Sequence, residues 1–204
     1  MSDGRVGILG GTFDPIHHAH LAIAEQAHEQ LRLAEVLFVP AAQTVHKPAD
    51  AVTPVEHRAR MIELAIADNP HFTLSRTEIE RDGPSYTVDT LAQLRAERPN
   101  DELLFIVSAE AARDLPTWRE PARILELARV AIVPRLGYGT PTREWLAHHF
   151  PGRADRFIYL DAPALGHSAS DIRRRVAAGQ SIRYLLPREV EDYISRHALY
   201  TGAR

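Results

Sequence analysis

Short apolar runs alternate with helical patterns along the 204-residue chain. A short, continuously apolar run bounded by turn residues is typical of a buried strand. Six such runs predict strands at residues 5–9, 35–40, 71–75, 102–109, 129–135 and 156–162. Because the strands are apolar throughout and are separated by helical patterns, the sequence predicts an α/β fold with a parallel sheet covered on both faces.

The helical patterns are segments in which apolar residues recur every three or four positions. One begins at His20, and the others cover residues 53–68, 88–97, 170–178 and 188–196. The second resembles a capping box, with Thr53 as the cap, Pro54 at the first helical position and Glu56 three residues after the cap. We expect one domain over residues 1–204, with a small C-terminal helical segment from residue 168 onward.

Composition narrows the class of protein. The chain has no cysteine, which excludes disulfides and thiolate metal sites and favours a reducing cytoplasm. Its formal net charge of −3 gives no reason to expect nucleic acid as a partner. No apolar run approaches the roughly 20 residues of a membrane span, so we expect no membrane association either.

The stretch GILGGTFDPIHHAH, residues 7–20, carries the first candidate site. Its histidines lack the spacing and the intervening acid of a helical zinc pair, and its glycines fit neither the P-loop nor the dinucleotide fingerprint. Two glycines before a helix still let a ligand approach the backbone closely, and the first turn of the helix has unpaired N–H groups. Both features suit an anion. His17 and His20 lie one helical turn apart and would face it together, unless they are solvated surface residues as His18 is expected to be.

A second candidate lies in GHSASDIRRRV, residues 166–176. Ser168 and Asp171 fit a helix cap, and Arg173 next to hydroxyl groups at a helix start has the geometry of a phosphate-binding fork. Arg174 and Arg175 are expected on a solvated basic face. Together, the two stretches predict two helix N-termini that converge on one polyphosphate.

These stretches resemble the paired motifs G-x-F-x-P-x-H-x-G-H and I-S-S-T-x-I-R of a nucleotidyltransferase superfamily. Four further segments narrow the match: HKP at residues 46–48, RDGPSYTVDTL at 81–91, LPTW at 115–118 and the C-terminal YISRHALY. With them the chain is similar, along nearly its whole length, to the family of bacterial nicotinate-nucleotide adenylyltransferases.

The resemblance implies a Rossmann-like fold and transfer of adenylate from ATP to nicotinate mononucleotide, which gives deamido-NAD and pyrophosphate. It implies Mg²⁺ carried by the ATP phosphates, without metal ligands from the protein. His17, His20 and Arg173 would be catalytic. The residues implied in ATP binding are Gly10, Gly11, Thr12, Phe13, Arg135, Ser168 and Ser170. Those implied in binding the mononucleotide are Lys47, Tyr86, Thr87, Glu110 and Trp118, with the Trp118 ring stacked on the pyridine.

The sequence departs from the family pattern at a few positions and leaves alternatives open. Ala19 stands where the family has glycine, Glu110 where it has aspartate, and Ala41 where asparagine is common. The preference for an acid or an amide mononucleotide therefore stays open. Three alternative functions also stay open. They are another transferase of the same fold (a nicotinamide mononucleotide or phosphopantetheine adenylyltransferase), a nucleotide-binding module without catalysis, and histidine-rich zinc storage. A homo-oligomer is possible in this family.

Overall fold

The computed structural model describes residues 4–43, 52–162, 166 and 168–202. Its six strands are β1 (Arg5–Gly11), β2 (Glu35–Pro40), β3 (Phe72–Leu74), β4 (Glu102–Ser108), β5 (Arg129–Val133) and β6 (Phe157–Tyr159). They pair in parallel in the order β3-β2-β1-β4-β5-β6. This is the order of a Rossmann-like sheet, and the predicted parallel sheet is confirmed.

Eight α-helices accompany the sheet within the described ranges. They are α1 (His18–Leu31), α2 (Val55–Ile66), α3 (Thr87–Glu97), α4 (Ala109–Asp114), α5 (Pro121–Leu127), α6 (Arg143–His149), α7 (Ala169–Ala177) and α8 (Arg188–Arg196). The apolar faces of α1, α2, α7 and α8 form one core cluster, and those of α3 to α6 form another. Helices therefore cover both faces of the sheet, as the sequence predicts.

Several element boundaries differ from the sequence-based expectation. Helix α1 begins at His18 instead of His20, and β1 continues to Gly11. The predicted capping box at Thr53 is wrong, because Pro54 is the N-cap of α2 and no side chain caps that end. The Thr53 N–H instead donates to the carboxylate of Asp14 at 3.3 Å.

The cap of α7 is confirmed, since the Ser168 hydroxyl accepts the Asp171 N–H at 3.1 Å. Helices α4, α5 and α6 are short segments of six or seven residues that the sequence pattern did not reveal. None of the helices in the described ranges is long and apolar enough to cross a membrane.

Gly7 allows the segment that enters β2 to pack directly on β1. A Cβ atom at this position would lie 2.6 Å from Leu33 Cδ1 and 3.1 Å from Ile106 Cδ1. The first contact is closer than two carbon atoms tolerate, so the Leu33 side chain would have to shift, and the second is tight for a packed core. The glycine therefore sets the distance between β1 and its neighbours on the α1 side.

We expect Gly7→Ala to lower the free energy of unfolding by about 1 to 3 kcal/mol, because the added methyl group overpacks the core. Urea denaturation monitored by circular dichroism measures the change. Gly10→Ala is the matched control on the same strand, because its Cβ would meet nothing closer than the Phe105 ring at 3.6 Å. Equal stability of both variants would contradict the packing argument.

Candidate active site

The opening motif lies where the strand order reverses. From β1 the chain moves to β2 on one side, and later returns to β4 on the other. Ligands of open parallel sheets bind beyond the carboxyl ends of strands at such a point. Gly11 ends β1 there, and a Cβ atom on it would lie 3.2 Å from the buried Phe13 ring. Phe13 itself has a left-handed φ of 49°, which turns the chain sharply toward α1.

The two histidines predicted to act together are in direct contact at the start of α1. His17 is the N-cap and is buried, and its ring stacks on that of His20 with centroids 3.8 Å apart. The Phe13 ring meets His20 edge-on at 4.9 Å. The His20 ring is therefore held between two aromatic neighbours.

The protonation state of His20 follows from its surroundings. Burial lowers the pKa of His20 well below its usual range, and the nearby positive charges of His17 and Arg135 lower it further. His20 is therefore neutral at pH 7. The His17 N–H donates to His20 Nδ1 at 3.3 Å, so the ring proton of neutral His20 is on Nε2. His20 Nε2–H is thus a hydrogen-bond donor.

The distal motif reaches the opening motif through Arg173. One guanidinium nitrogen of Arg173, on α7, donates to the backbone carbonyl of Asp14 at 2.7 Å, and another lies 3.4 Å from the Ser170 hydroxyl. Arg174 and Arg175 instead pair with Asp171 on the outer side of the helix, as expected for solvated residues. The structure therefore brings Arg173 beside the loop between β1 and α1.

A cavity of about 390 Å³ opens beside this loop. Gly10, Gly11 and Thr12 form one side, and Tyr86, Thr87 and Trp118 form another. The Trp118 ring meets Phe105 edge-on at 6.1 Å, while the Arg119 guanidinium lies 4.8 Å above the Tyr86 ring. One continuous space is thus lined by three of the residues expected to contact the nucleotide and by three of those expected to contact the mononucleotide. His17, His20 and Arg173 are not part of this lining.

Other predicted site residues lie outside the cavity lining or cannot be placed, although Arg135 is close enough for its charge to act on His20. Arg135 and Glu110 form an ion pair of 2.8 Å beyond β5 and β4, and among described residues they are not part of the cavity lining. Ser170 is exposed at the first turn of α7. Lys47 and the rest of HKP lie outside the described residues, so the role of Lys47 stays a prediction. Ala19 is buried, and protein atoms therefore cover its extra methyl group.

Three polar residues of the site were missed from the sequence. Arg58 is 1% exposed and donates to the carbonyls of Thr12 and Ala41, both at 2.7 Å, and of Thr53 at 2.8 Å. It takes an inward position of the α2 apolar stripe with Met61 and Ile62, which is a signal that could have identified it.

Glu78 and Tyr200 are the other two. Glu78 is buried and lines the cavity, and burial raises the pKa of its carboxyl group. The Tyr200 hydroxyl donates to the buried carboxylate of Asp14 at 2.7 Å, and burial raises the pKa of that hydroxyl above its usual range. Glu78 has no local sequence pattern that distinguishes it from an ordinary surface residue. Tyr200 ends the segment YISRHALY, which contributed to the family resemblance without indicating a role for this tyrosine.

Comparison with known proteins agrees with this geometry. The family model described as cytidylyltransferase-like matches residues 8–175. A probable nicotinate-nucleotide adenylyltransferase of Thermomicrobium roseum is 48% identical over 196 residues, which is 96% of this chain and 91% of the relative. One of the same name from Thermus thermophilus is also 48% identical, over 96% of this chain and 99% of its own.

A solved structure shares the fold. The nicotinic acid mononucleotide adenylyltransferase of Plasmodium falciparum, complexed with NaAD, superposes with a TM-score of 0.81 at 21% sequence identity. The match covers 97% of each chain. The extent and identity of the sequence matches place the chain: it belongs to the nicotinate-nucleotide adenylyltransferase family of the cytidylyltransferase-like proteins.

Proposed function

We propose that this chain transfers the adenylyl group of ATP to nicotinate mononucleotide, giving deamido-NAD and pyrophosphate in NAD biosynthesis. The names of its relatives support this reaction. The structural observation that carries the proposal is the single cavity that joins the glycine loop of β1 to the aromatic residues Tyr86 and Trp118. In our proposal the mononucleotide occupies this cavity, and ATP lies along the glycine loop at its edge.

The reaction needs positioning and charge neutralisation more than proton transfer. A phosphate oxygen of the mononucleotide attacks the α-phosphorus of ATP, and the bond from that phosphorus to the bridging oxygen of pyrophosphate breaks. The attacking phosphate is already ionised, so no general base is required. Donors aimed at the phosphoryl oxygens lower the barrier as charge shifts to the leaving pyrophosphate.

The histidines and the arginine of the two motifs are suited to that task. In our proposal the Nε2–H of His20 donates to a phosphate oxygen, and His17 holds the His20 ring in place by stacking. Arg173 lies at the other side of the loop and contacts the triphosphate. The backbone of Gly10, Gly11, Thr12 and Phe13 follows the nucleotide, while Ser168, Ser170 and Arg135 bind its distal phosphates.

The aromatic side of the cavity takes the acceptor. We propose that Trp118 stacks on the pyridine ring while Tyr86 and Thr87 close the pocket, with Lys47 and Glu110 contributing nearby. Thr87 is the first residue of α3, and the positive end of a helix dipole favours a carboxylate. Arg119 lies in the same lining, paired with Asp89 at 3.3 Å. In our proposal its guanidinium and the helix end select the acid over the amide mononucleotide.

Nucleotidyltransferases of this family act on ATP together with a divalent cation. We propose that the cation is Mg²⁺ and that it arrives bound to the ATP phosphates. The donors around the loop are N–H groups, histidines and an arginine, which suit phosphate oxygens and not a hard cation. A cytoplasmic location, supported by the lack of cysteine, and a homo-oligomeric state remain predictions.

A first prediction concerns the acceptor. Pyrophosphate release with ATP and Mg²⁺ is measured in parallel with nicotinate mononucleotide, nicotinamide mononucleotide and phosphopantetheine. We expect a strong preference for the acid mononucleotide, because the cavity lining is aromatic and its α3 end is positive. Preference for another acceptor would contradict the pocket assignment but retain the phosphate chemistry. No turnover with any of the three would favour a nucleotide-binding module.

The role of His20 is tested by substitution. We expect His20→Ala to reduce kcat by about 100-fold or more, the cost of removing one donor to transition-state charge. The matched control is His18→Ala, two residues earlier on the same helix, whose contact to Leu185 is made by the backbone and is retained. Circular dichroism verifies that both variants fold. A His20→Ala enzyme with the turnover of the control would exclude this role.

Trp118→Ala tests the stacking. Stacking of a base on an aromatic side chain contributes about 1 to 3 kcal/mol, so we expect KM for the mononucleotide to rise about tenfold or more. KM for ATP should change little, and Trp118→Phe should recover most of the affinity because it retains an aromatic face. Unchanged kinetics of Trp118→Ala would instead favour another transferase of this fold.

A further inference from the structure

Glu78 is a buried carboxylate in a cavity that is proposed to bind an anion. It follows β3 in the chain and is 8% exposed. A carboxylate in such a place should disfavour an anionic acceptor unless its own charge is compensated within the protein. The contacts of Glu78 show how that compensation is made.

Two hydroxyl groups donate to Glu78. The Thr90 hydroxyl lies 2.6 Å from Glu78 Oε1, and the Ser85 hydroxyl makes a second bond to the carboxylate. Arg81 donates to the Thr90 oxygen at 3.1 Å and contributes a positive charge. Burial raises the pKa of Glu78, and these hydroxyl bonds and the charges of Arg81 and Arg58 oppose the rise.

The two hydroxyl groups belong to different walls of the cavity. The Ser85 oxygen accepts the N–H groups of Ala42 and Gln43 at 3.1 and 3.3 Å, which ties it to the loop after β2. The Thr90 hydroxyl lies 3.3 Å from the Tyr86 carbonyl, within the first turn of α3. Glu78 is therefore the common acceptor that connects the β2 loop to the start of α3.

A carboxylate is suited to this connection because it only accepts hydrogen bonds. Both hydroxyl protons must point to Glu78, which leaves the lone pairs of the two oxygens free for the N–H groups of Ala42, Gln43 and Arg81. An amide in the same place would direct an NH₂ group at an oxygen that already accepts hydrogen bonds. The direction of both hydroxyl bonds thus depends on the carboxylate.

We propose that Glu78 is a positioning residue for acceptor binding, which fixes Tyr86 and Thr87 against the β2 loop through Ser85 and Thr90. The inference rests on the proposed function, since it takes this part of the cavity to be the mononucleotide site. The hydrogen bonds of Glu78 in the described ranges are with Ser85 and Thr90 and not with the glycine loop, so we expect its loss to affect the two substrates differently.

The test compares Glu78→Ala, Glu78→Gln and wild type in the pyrophosphate assay. We expect Glu78→Ala to raise KM for nicotinate mononucleotide by about tenfold or more, since hydrogen bonds to a buried charge are lost. KM for ATP and kcat should stay within about threefold. Glu78→Gln should be intermediate, because its carbonyl oxygen still accepts one hydroxyl group. The matched control is Glu80→Ala, an exposed acid two residues away that should behave as wild type.

The outcome separates this inference from the proposed function. Wild-type turnover with nicotinate mononucleotide tests the function alone, and the ratio of variant to wild-type acceptor KM tests Glu78. If Glu78→Ala does not fold, Thr90→Val removes one hydroxyl donor with little change of shape and should raise the same KM. An unchanged acceptor KM, or an equal rise for both substrates, would overturn the inference. If the wild-type protein turns over no acceptor, calorimetric titration with nicotinate mononucleotide compares the affinities of wild type and Glu78→Ala. Failure of the wild-type protein to bind nicotinate mononucleotide overturns the inference.

Discussion

The arrangement of the site depends on one buried guanidinium group. Arg58 donates to carbonyl oxygens in the loops that follow β1 and β2, and these bonds replace the water that its charge loses on burial. Burial lowers the pKa of Arg58, but an arginine remains charged in any protein environment. Because a peptide unit is planar and trans, a carbonyl drawn toward Arg58 turns the next N–H the opposite way. The Ala41 carbonyl faces Arg58, and the Ala42 N–H accordingly faces Ser85.

A second constraint joins the ends of the chain. The Asp14 carboxylate accepts the Thr53 N–H and the Tyr200 hydroxyl, and its backbone carbonyl accepts from Arg173. Asp14 thereby links the opening motif to α7 and to the C-terminal segment. This explains why α7 and α8 pack in the same core cluster as α1 and α2. The cationic group of the distal motif is held at the glycine loop by this network and not by sequence proximity.

The sequence was informative where function and structure depend on local pattern. The strands, the longer helices and the cap at Ser168 could be predicted because apolar periodicity and capping are short-range properties. The capping box at Thr53 was wrong because Asp14, distant in sequence, competes for the Thr53 N–H. Glu78 could not be predicted, since its hydroxyl partners Ser85 and Thr90 are positioned by the loop after β2 and by α3. Of the predicted site residues, the glycine loop and Trp118 line one cavity. Glu110 and Arg135 instead pair with each other, because they follow the adjacent strands β4 and β5.

The phosphates and the acceptor ring require different surroundings, and the fold provides both at the sheet edge where the strand order reverses. In our proposal the phosphate end needs hydrogen-bond donors, which the start of α1 and Arg173 supply. The Asp14 carboxylate of the same loop instead accepts the Thr53 N–H and the Tyr200 hydroxyl. The acceptor end needs a rigid aromatic pocket, and polar groups are required to hold the start of α3 in place. Glu78 is one of these polar groups. A buried carboxylate near an anionic substrate is tolerable because its bonds are saturated by hydroxyl groups on the protein side. Positioning of two bound nucleotides, which can accelerate a reaction by many orders of magnitude, is then a property of the scaffold and not of any reactive side chain.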